Sequence, residues 1–234
     1  MAGDVAVVVG VGEGIGGALV ERFARDGYRV AAIARSEARA KAAAARGGEG
    51  ARAYACDATD EAQVRATFAA VRAELGEPSA LLYNAGSGRW GTFDQVAPAD
   101  FEHTFRVNVL GLFLAAREVV PAMRARGRGV VGVTGATASW RGKPMTTAFA
   151  AGKAAQRSLA QSMARELGPA GVHVFYVVVD GVVDLPVTRE RARDLADEAF
   201  LKPADVAETY ALLARQPRSA WTFELDVRPA VERW

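Results

Sequence analysis

Five glycines follow directly on the first apolar run of the chain, and this turn constrains the fold more than any other feature. The run itself, Val5–Val9, is short and rich in valine, as expected of a strand that is covered on both faces. The glycines stand at positions 10, 12, 14, 16 and 17, and an amphipathic helical pattern over residues 15–26 continues until Gly27 ends it. A strand, a glycine-rich turn and a helix in this order predict the first unit of a parallel α/β sheet.

The rest of the chain repeats the alternation of strand and helix, with glycine or proline between the elements. We predict further strands at residues 29–34, 51–55, 80–83, 130–134, 173–179 and 221–226. We predict further helices at residues 37–46, from a cap at Thr59 or Asp60 to residue 75, and at 98–126, 147–167 and 203–216. This alternation predicts an α/β fold, a Rossmann-like doubly wound parallel sheet of about seven strands with helices on both faces. No internal repeat or linker is visible, so we expect residues 1–234 to form a single domain.

Composition excludes several classes of protein. The formal net charge of +2 gives no electrostatic footprint for nucleic acid or for an anionic membrane. The one cysteine, Cys56, excludes an intramolecular disulfide and fits a reducing compartment. Residues 1–9 lack the basic start of a secretory signal, and no apolar run approaches the ~18 residues of a membrane helix. We therefore expect a cytoplasmic protein without nucleic-acid or membrane partners.

The glycine turn predicts a site for a dinucleotide. Glycines at the start of a helix allow the backbone to approach a pyrophosphate, whose charge then lies against the amides and the positive dipole of the helix. Two registers fit this role, Gly12-x-Gly14-x-x-Gly17 and Gly10-x-x-x-Gly14-x-Gly16. We favour the second register because Gly10 directly follows the strand. The alternative is a tight turn that binds nothing.

Four further motifs follow the glycine turn in a fixed order. Cys56-Asp57 comes after the third predicted strand, and Tyr83-Asn84-Ala85-Gly86 comes at the end of the fourth. Asn108 lies in the next helix, and Lys153 lies early in the helix at 147–167. With these motifs in this order, the sequence resembles the short-chain dehydrogenase/reductase family over nearly its whole length.

The resemblance implies hydride transfer between a nicotinamide cofactor, NAD or NADP, and a carbonyl or alcohol carbon. It implies catalytic roles for Lys153 and for Asn108, which in the family holds a proton-relay water. The structural alternative for Asn84 and Asn108 is a buried amide that ties a loop to the backbone. Relatives commonly assemble through the helices that are here at 98–126 and 147–167, so the resemblance also implies a homo-dimer or homo-tetramer. The cofactor-binding residues that it implies are Gly10, Gly14, Ile15, Gly16, Arg35, Asp57, Asn84, Ala85, Gly86, Lys153 and Gly181.

The sequence departs from the family at two positions that matter for chemistry. The family's proton donor is a tyrosine whose high pKa is lowered by the neighbouring ammonium, and a serine steadies the substrate oxygen. The matching positions here are Phe149, four residues before Lys153, and Ala136, and neither side chain can donate or accept a hydrogen bond. Two hypotheses stay open. The first is an atypical NAD(P)(H)-dependent oxidoreductase that uses water or another group as the acid, and the second is a non-catalytic dinucleotide-binding, structural or regulatory relative.

Other positions bear on the choice of cofactor. Arg35, directly after the second predicted strand, favours the 2′-phosphate of NADP, whereas Glu13 would repel that phosphate or pair with Arg35. NADP is therefore only marginally preferred over NAD, and a solvated surface charge is the alternative for Arg35. Asp180 would pair with Lys153 or favour the oxidised, positively charged nicotinamide ring, and a loop cap with no role in the chemistry is the alternative. Leu185 stands where the family has a threonine that contacts the cofactor.

Three remaining features carry less information. His103 and His173 have no ligand partner in the sequence pattern, so we expect no metal site. Trp140 would line the mouth of a substrate site or cover the core. The charged segment at 184–202 takes the place of the family's substrate-covering loop and helix, and it does not identify a substrate.

Overall fold

The computed structural model describes residues 3–232. Residues 1–2, the start of the segment that was searched for a secretory signal, and residues 233–234 lie outside the described residues. The strands are β1 Val5–Val9, β2 Arg29–Ala34, β3 Ala51–Ala55, β4 Pro78–Tyr83, β5 Gly129–Thr134, β6 Val172–Val179, β7 Val182–Val183, β8 Phe200–Leu201 and β9 Glu224–Val227. The α-helices are α1 Ile15–Arg25, α2 Glu37–Arg46, α3 Glu61–Glu74, α4 Pro98–Phe105, α5 Gly111–Arg126, α6 Thr147–Leu167, α7 Pro186–Arg191 and α8 Pro203–Ala214. Within residues 3–232, no helix is both long and apolar enough to cross a membrane.

A parallel sheet of seven strands forms the centre of the fold, in the order β3-β2-β1-β4-β5-β6-β9. Side chains alternate between its faces, so Val7 belongs to one core cluster and Val8 to the other. Helices α1, α2 and α8 pack over the face of Val8, and α3, α5 and α6 pack over the face of Val7. The predicted Rossmann-like architecture is confirmed.

The helix predicted at 98–126 is wrong as one regular α-helix. Helix α4 ends at Phe105, a π turn spans Arg106–Leu110, and α5 begins at Gly111. Asn108 lies in the π turn and donates a hydrogen bond from Nδ2 to the Thr104 carbonyl at 2.8 Å. Such turns occur frequently at functional sites, and they leave the apolar periodicity of the sequence almost unchanged.

Residues 184–202 and the last strand also differ from the prediction. Strands β7 and β8 pair in parallel, and each is two residues long, which is too short for any periodic signal. Strand β9 begins at Glu224 rather than at 221. The reason is that Trp221 donates from Nε1 to the Gln216 carbonyl at 3.1 Å and stacks on His173, so it lies outside the ladder.

The chain reverses its direction of travel across the sheet between β1 and β4. From β1 it builds outward through β2 to β3, and it then returns to place β4 on the other side of β1. In open α/β sheets, the crevice at the carboxyl ends of the two strands at such a switch point is where ligands bind. Gly10 follows β1 and Asn84 follows β4, so the predicted site lies in this crevice.

Candidate functional site

The glycine turn after β1 has room for a backbone only. Gly10 has φ +90°, and a Cβ on it would lie 2.3 Å from the Ala85 nitrogen. A Cβ on Gly16 would lie 2.4 Å from the Gly10 carbonyl oxygen, whereas a Cβ on Gly12 would meet nothing within 4 Å. Gly10 and Gly16 of the favoured register therefore have no room for a side chain. Gly17 of the other register is confined as well, because its Cβ would lie 2.3 Å from the Gly12 carbonyl oxygen. The contact of Gly10 with Ala85 brings this turn close to the loop after β4.

Asn84 ties the two loops together. Its Nδ2 donates to the Gly10 carbonyl at 2.8 Å, and its Oδ1 accepts from Thr134 Oγ1 at 3.0 Å. The Thr134 hydroxyl lies 2.7 Å from the hydroxyl of Tyr210, which continues the network into the core. Both polar atoms of the Asn84 side chain are therefore engaged by the protein. This geometry is the loop-tying role that the sequence left as the alternative.

A cleft of about 540 Å³ opens at the ends of β1 to β4, and we call it the β2 cleft. Arg35, Ser36, Arg39 and Asp57 line it. The guanidinium groups of Arg35 and Arg39 are exposed, and among residues 3–232 neither makes an ion pair. Arg39 was missed by the sequence analysis, although its position four residues after Arg35 places it in the first turn of α2.

The ion pair between Glu13 and Arg35, one of the two sequence interpretations, is wrong. Within the described chain the Glu13 carboxylate makes no ion pair, and the Glu13 carbonyl accepts from Arg46 Nη1 at 3.1 Å. Arg46 in turn pairs with Glu21 at 3.2 Å. Glu13 therefore does not neutralise the positive charge of the β2 cleft.

Asp57 is partly committed to its own turn. Its Oδ1 accepts from the backbone nitrogen and from the hydroxyl of Thr59, both at 2.9 Å. The second carboxylate oxygen has no partner among the described residues, so it is available to a ligand in the β2 cleft. The structure therefore leaves room for the cofactor contact of Asp57 that the resemblance implied.

Leu185 covers the start of α1. A Cβ on Gly14 would lie 3.1 Å from Leu185 Cδ2, and both residues line a second cleft of about 1000 Å³. The buried side chain of Ile15 forms part of the same wall. An apolar side chain thus lies over the helix terminus at which the sequence predicts a pyrophosphate.

Lys153 lies at the bottom of the crevice and is 4% exposed. Its Nζ donates to the Thr134 carbonyl at 2.7 Å and to Gln156 Oε1 at 3.0 Å. A Cβ on Gly86 would lie 3.7 Å from this Nζ, so the ammonium lies next to the exposed backbone of the loop after β4. Burial lowers the pKa of Lys153 from 10.5 to about 7, because the charged form loses its hydration.

Asn108 lies beside Lys153 and is fully buried. Its Nδ2 donates to the Ser87 carbonyl at 2.7 Å as well as to Thr104. Its Oδ1 is buried without a hydrogen-bond partner, and it lies 3.6 Å from the position of a Cβ on Gly86. A buried acceptor without a donor is costly, so this oxygen is a place where a water or a ligand hydroxyl would be stabilised.

Phe149 presents an apolar ring to the crevice near Lys153, and Ala136 follows the end of β5 by two residues. The Phe149 ring centroid lies 6.0 Å from Lys153 Nζ and 5.4 Å from the ring centroid of the exposed Trp90. A Cβ on Gly88 would lie 2.7 Å from Phe149 Cδ2, so the ring is packed under the loop after β4. Neither Phe149 nor Ala136 brings a polar side-chain atom to the crevice.

The loop at the mouth of the crevice contains a strained residue. Met145 has φ +69°, which is uncommon for a residue other than glycine, and its carbonyl accepts from the Gly91 nitrogen at 3.1 Å. Its side chain is exposed, as is that of Trp90 in the loop to which the Gly91–Thr146 bridge joins it. Strained residues of this kind cluster at ligand sites.

The pairing of Asp180 with Lys153 is wrong. Asp180 Oδ2 lies 3.3 Å from Arg228 Nη2, and Asp180 Oδ1 accepts a hydrogen bond from Thr137 Oγ1. Gly181, the last of the implied cofactor residues, lies against the ring of Pro229, because a Cβ on Gly181 would lie 2.8 Å from Pro229 Cδ. Its contact with a cofactor stays a prediction. The loop-cap interpretation of Asp180 is the one that its contacts favour.

Two further sequence expectations concern the edge of the site. The indole Nε1 of Trp140 donates to Glu224 Oε1 at 3.2 Å, so this side chain lies toward β9. Among residues 3–232, no group of three or more His, Cys, Asp or Glu side chains is placed to hold a metal ion.

Gln156 was not singled out from the sequence, yet it is fully buried next to Lys153. It lies three residues after Lys153 on the same face of α6. The sequence signal is a second polar residue, besides Lys153, on the mainly apolar buried face of that helix.

Comparison with known proteins identifies the group to which these features belong. The sequence profile described as short chain dehydrogenase matches residues 4–196. The chain is 33% identical over 202 residues to the inactive 2-(S)-hydroxypropyl-CoM dehydrogenase 2 of Xanthobacter autotrophicus, which covers 81% of this chain and 88% of that protein. A metagenomic short-chain oxidoreductase in complex with NADP has 28% sequence identity and a TM-score of 0.84 over 99% of both chains. A 3-ketoacyl-(acyl-carrier-protein) reductase of Brucella melitensis complexed with NADH has 29% identity and a TM-score of 0.87 over 98% of both chains.

Proposed function

The chain belongs to the short chain dehydrogenase family, and from that membership we propose that it is an atypical NAD(P)(H)-dependent oxidoreductase. Its substrate is a small molecule with a carbonyl or alcohol group, and residues 1–234 act as one dinucleotide-binding domain. Phe149 and Ala136 occupy the positions of the family's usual tyrosine and serine. The chain therefore lacks the usual proton-transfer groups and uses another one.

The observation that carries this proposal is the state of Lys153. Two of its three N–H groups are bound by Thr134 and Gln156, and the ammonium lies beside Gly86 in the crevice. A pKa of about 7 lets this group exist in both protonation states at neutral pH, which is what a general acid requires. Asn108 Oδ1 provides a neighbouring acceptor for a water or hydroxyl.

The proton and the hydride take separate routes in the proposed reduction. A reduced nicotinamide, when bound, would supply the hydride that the carbonyl carbon accepts. Lys153 Nζ gives a proton to the carbonyl oxygen, directly or through a water held against Asn108 Oδ1, and becomes a neutral amine. The amine regains its proton from solvent after the alcohol leaves. In the opposite direction, the neutral amine accepts the proton of the alcohol.

The chain's residues fit a dinucleotide, with NADP favoured over NAD. Gly10 and Gly16 leave the close backbone approach that a pyrophosphate needs. Arg35 and Arg39 supply two unpaired guanidinium groups to the β2 cleft, where a 2′-phosphate would bind between them. Relatives of this fold have been solved with NADP and with NADH.

The test is a screen of NADPH and NADH oxidation with a broad panel of aldehydes and ketones. We expect slow turnover of at least one carbonyl compound and a loss of roughly 10²-fold or more in kcat for Lys153→Ala. Lys143→Ala, an exposed lysine in the loop before α6, is the matched control. No turnover with any compound by the intact protein would refute the oxidoreductase proposal.

The second candidate is a non-catalytic dinucleotide-binding or regulatory relative. It is favoured by the apolar side chains of Phe149 and Ala136 and by the similarity to a protein described as inactive. Isothermal calorimetry with NADP(H) and NAD(H) separates the versions of this candidate. Binding without turnover supports a nucleotide sensor, whereas no binding heat leaves only a structural role.

We further propose a homo-dimer or homo-tetramer assembled through α4, α5 and α6. These helices carry exposed apolar side chains, including Phe101 and Phe113, around an open apolar cleft of about 320 Å³ that Phe105 and Leu159 also line. Light scattering provides the test. A monomer at micromolar concentration would contradict this proposal.

A further inference from the structure

Beneath the crevice, Lys153, Gln156 and Asn108 form a chain of buried hydrogen bonds, which we call the Lys153 cluster. Gln156 Oε1 accepts from Lys153 Nζ at 3.0 Å, and Gln156 Nε2 donates to the Asn108 carbonyl at 2.9 Å. The three side chains are at most 4% exposed. The hydroxyl of Tyr176 donates to the same Gln156 oxygen at 3.4 Å.

The partners of Gln156 fix the orientation of its carboxamide. The Asn108 carbonyl can only accept and the Lys153 ammonium can only donate, so the NH₂ group must face the carbonyl and the oxygen must face the ammonium. The reversed orientation would place two donors together and two acceptors together. Gln156 is therefore a rigid acceptor for Lys153.

We propose that Gln156 is a positioning residue, which holds the Lys153 amine so that its third N–H is directed into the crevice beside Gly86. This inference rests on the proposed function, since that N–H is the one that would reach a substrate oxygen. Gln156 touches neither substrate nor cofactor in this proposal. It acts through Lys153 alone.

The geometry shows why a second acceptor is needed. The Thr134 carbonyl engages one N–H of Lys153, and a flexible four-carbon side chain held at one point can still rotate. Asn108 Oδ1, which has no partner, would compete for the N–H that Gln156 engages. With Gln156 in place, both Asn108 Oδ1 and the third N–H stay available to the crevice.

Titratable groups on the surrounding elements do not oppose this assignment. Tyr176 on β6 and Tyr210 on α8 are buried phenols, and burial raises the pKa of both, so they stay neutral. On the other neighbouring elements, His103 on α4 and Arg106 in the π turn are exposed, and Arg106 donates to the Thr59 carbonyl. Arg157 on α6 pairs with Glu224 on β9, and Asp180 after β6 pairs with Arg228. Burial alone lowers the pKa of Lys153, and no charged neighbour contributes.

The test measures Lys153 itself, in the free protein and without a dinucleotide. The chain has four lysines, at positions 41, 143, 153 and 202, so selective ¹³Cε-lysine labelling gives four resonances. Lys153→Met identifies the resonance of interest. The titration midpoint of Lys153 is then followed by NMR in Gln156→Glu, in Gln156→Leu and in Gln161→Leu, which changes a half-buried glutamine on the same helix.

We expect the two changes at Gln156 to move the midpoint in opposite directions. Gln156→Glu places a carboxylate next to the ammonium and raises the midpoint by about one pH unit or more. Gln156→Leu removes a hydrogen bond to the charged form and lowers the midpoint, while Gln161→Leu leaves it unchanged. In the active protein, Gln156→Leu lowers kcat by roughly 10-fold and leaves the Kd of NADPH within a factor of about two.

Two outcomes would overturn the proposal. If both variants leave the Lys153 midpoint at its original value, Gln156 does not act on the amine. If both shift it in the same direction, the effect is one of packing. Should Gln156→Leu fail to fold by circular dichroism, Gln156→Glu decides alone, by an upward shift or none. Failure to find any turnover refutes the proposed function and does not affect this titration.

Discussion

Beside β2, the guanidinium groups of Arg35 and Arg39 line an open cleft and have no ion-pair partner within residues 3–232. Beside α6, by contrast, Lys153 and Gln156 are buried and engaged by the protein. The ring of Phe149 lies 6.0 Å from Lys153 Nζ and contacts the exposed Trp90. The β2 cleft thus offers unsatisfied charge to a ligand. The wall beside Lys153 offers an apolar surface, and the polar groups of Lys153 and Gln156 are buried behind it.

The difference between the two regions shows that cofactor binding and proton transfer depend on different parts of this fold. A dinucleotide is recognised by backbone amides and charges at the sheet edge. We propose that Gly10, Gly16 and the two arginines of the β2 cleft meet these requirements. Proton transfer depends on a few side-chain atoms that can be lost without disturbing the sheet. If Phe149 and Ala136 occupy the positions of the family's tyrosine and serine, as we propose, these two polar groups were lost while the fold stayed intact.

The largest effect is expected when the phenol and the hydroxyl of the family's usual site are introduced beside Lys153. We expect Phe149→Tyr combined with Ala136→Ser to raise kcat/KM for carbonyl reduction by roughly 10²- to 10⁴-fold, the usual contribution of a positioned general acid. The phenol gains an acidic proton because the Lys153 ammonium is next to the ring. Steady-state NADPH oxidation measures the gain.

The control places the same double change in a Lys153→Met background. The gain should vanish there, because nothing then stabilises the phenolate. The result that would contradict this prediction is a double variant that folds and binds NADPH but reduces carbonyl compounds no faster than the parent. Positions 149 and 136 would then not be those of the family's tyrosine and serine, and the difference between the two regions would not lie in lost proton-transfer groups.

The next largest effect is expected on the other side of the comparison, at Gly16. Gly16→Ala places a Cβ 2.4 Å from the Gly10 carbonyl oxygen, so the turn must shift, and we expect the Kd of NADPH to rise about 100-fold, or about 3 kcal/mol. Gly12→Ala is the matched control, because its Cβ meets nothing. An equal loss in Gly12→Ala would instead support the register that begins at Gly12. Isothermal calorimetry gives both constants.

The β2 side could be predicted from sequence in most respects. Val5–Val9 and the glycines after it are local signals, and they sufficed for the strand and the turn, whereas the choice of register stays a prediction. On the other side of the comparison, the bounds of the helix 147–167, which carries Lys153, were also predicted correctly. Local patterns of hydrophobicity and glycine are read directly from the chain because they act over one turn or one strand.

The rest depends on contacts between distant parts of the chain. Asp180 pairs with Arg228 only because β6 lies next to β9 in the sheet, and nothing in the sequence near Asp180 indicates that neighbour. Gln156 acquires its role from a π turn that hydrophobic periodicity does not reveal. Sequence patterns therefore gave the scaffold, whereas the pairing of buried polar groups required the structure.

The stability of Lys153→Met tests whether the buried amine is kept for function. Its folded pKa of about 7 lies below the 10.5 of an exposed lysine, so between these values the unfolded chain binds more protons than the native one. Stability of the parent is therefore fully present above pH 10.5, falls as the pH falls toward 7, and stays low below that. We expect Lys153→Met to be more stable than the parent at pH 6, by about 2 kcal/mol after the loss of two hydrogen bonds.

Urea unfolding at pH 6, 8 and 10 measures this difference, which should shrink as the pH rises. Lys143→Met, at an exposed position, should show no such dependence. A less stable Lys153→Met at every pH would mean that the amine is a structural tie. The Lys153 amine would then hold neighbouring segments together, as Asn84 does, and would not be a group that is retained for function at a cost in stability.

Arg39→Ala is expected to give the smallest of these effects, and it tests the open charge of the β2 cleft. Loss of one charge-assisted hydrogen bond to a 2′-phosphate should raise the Kd of NADPH about 10-fold, or about 1.4 kcal/mol, and leave that of NADH unchanged. Arg65→Ala, on the exposed face of α3 and paired with Glu61, should change neither constant. An equal rise in Kd for NADPH and NADH would mean that Arg39 contacts a part of the dinucleotide that both share, and not the 2′-phosphate. No loss for NADPH would leave Arg35 as the sole contact to the phosphate, and the two guanidinium groups would then not act as one site.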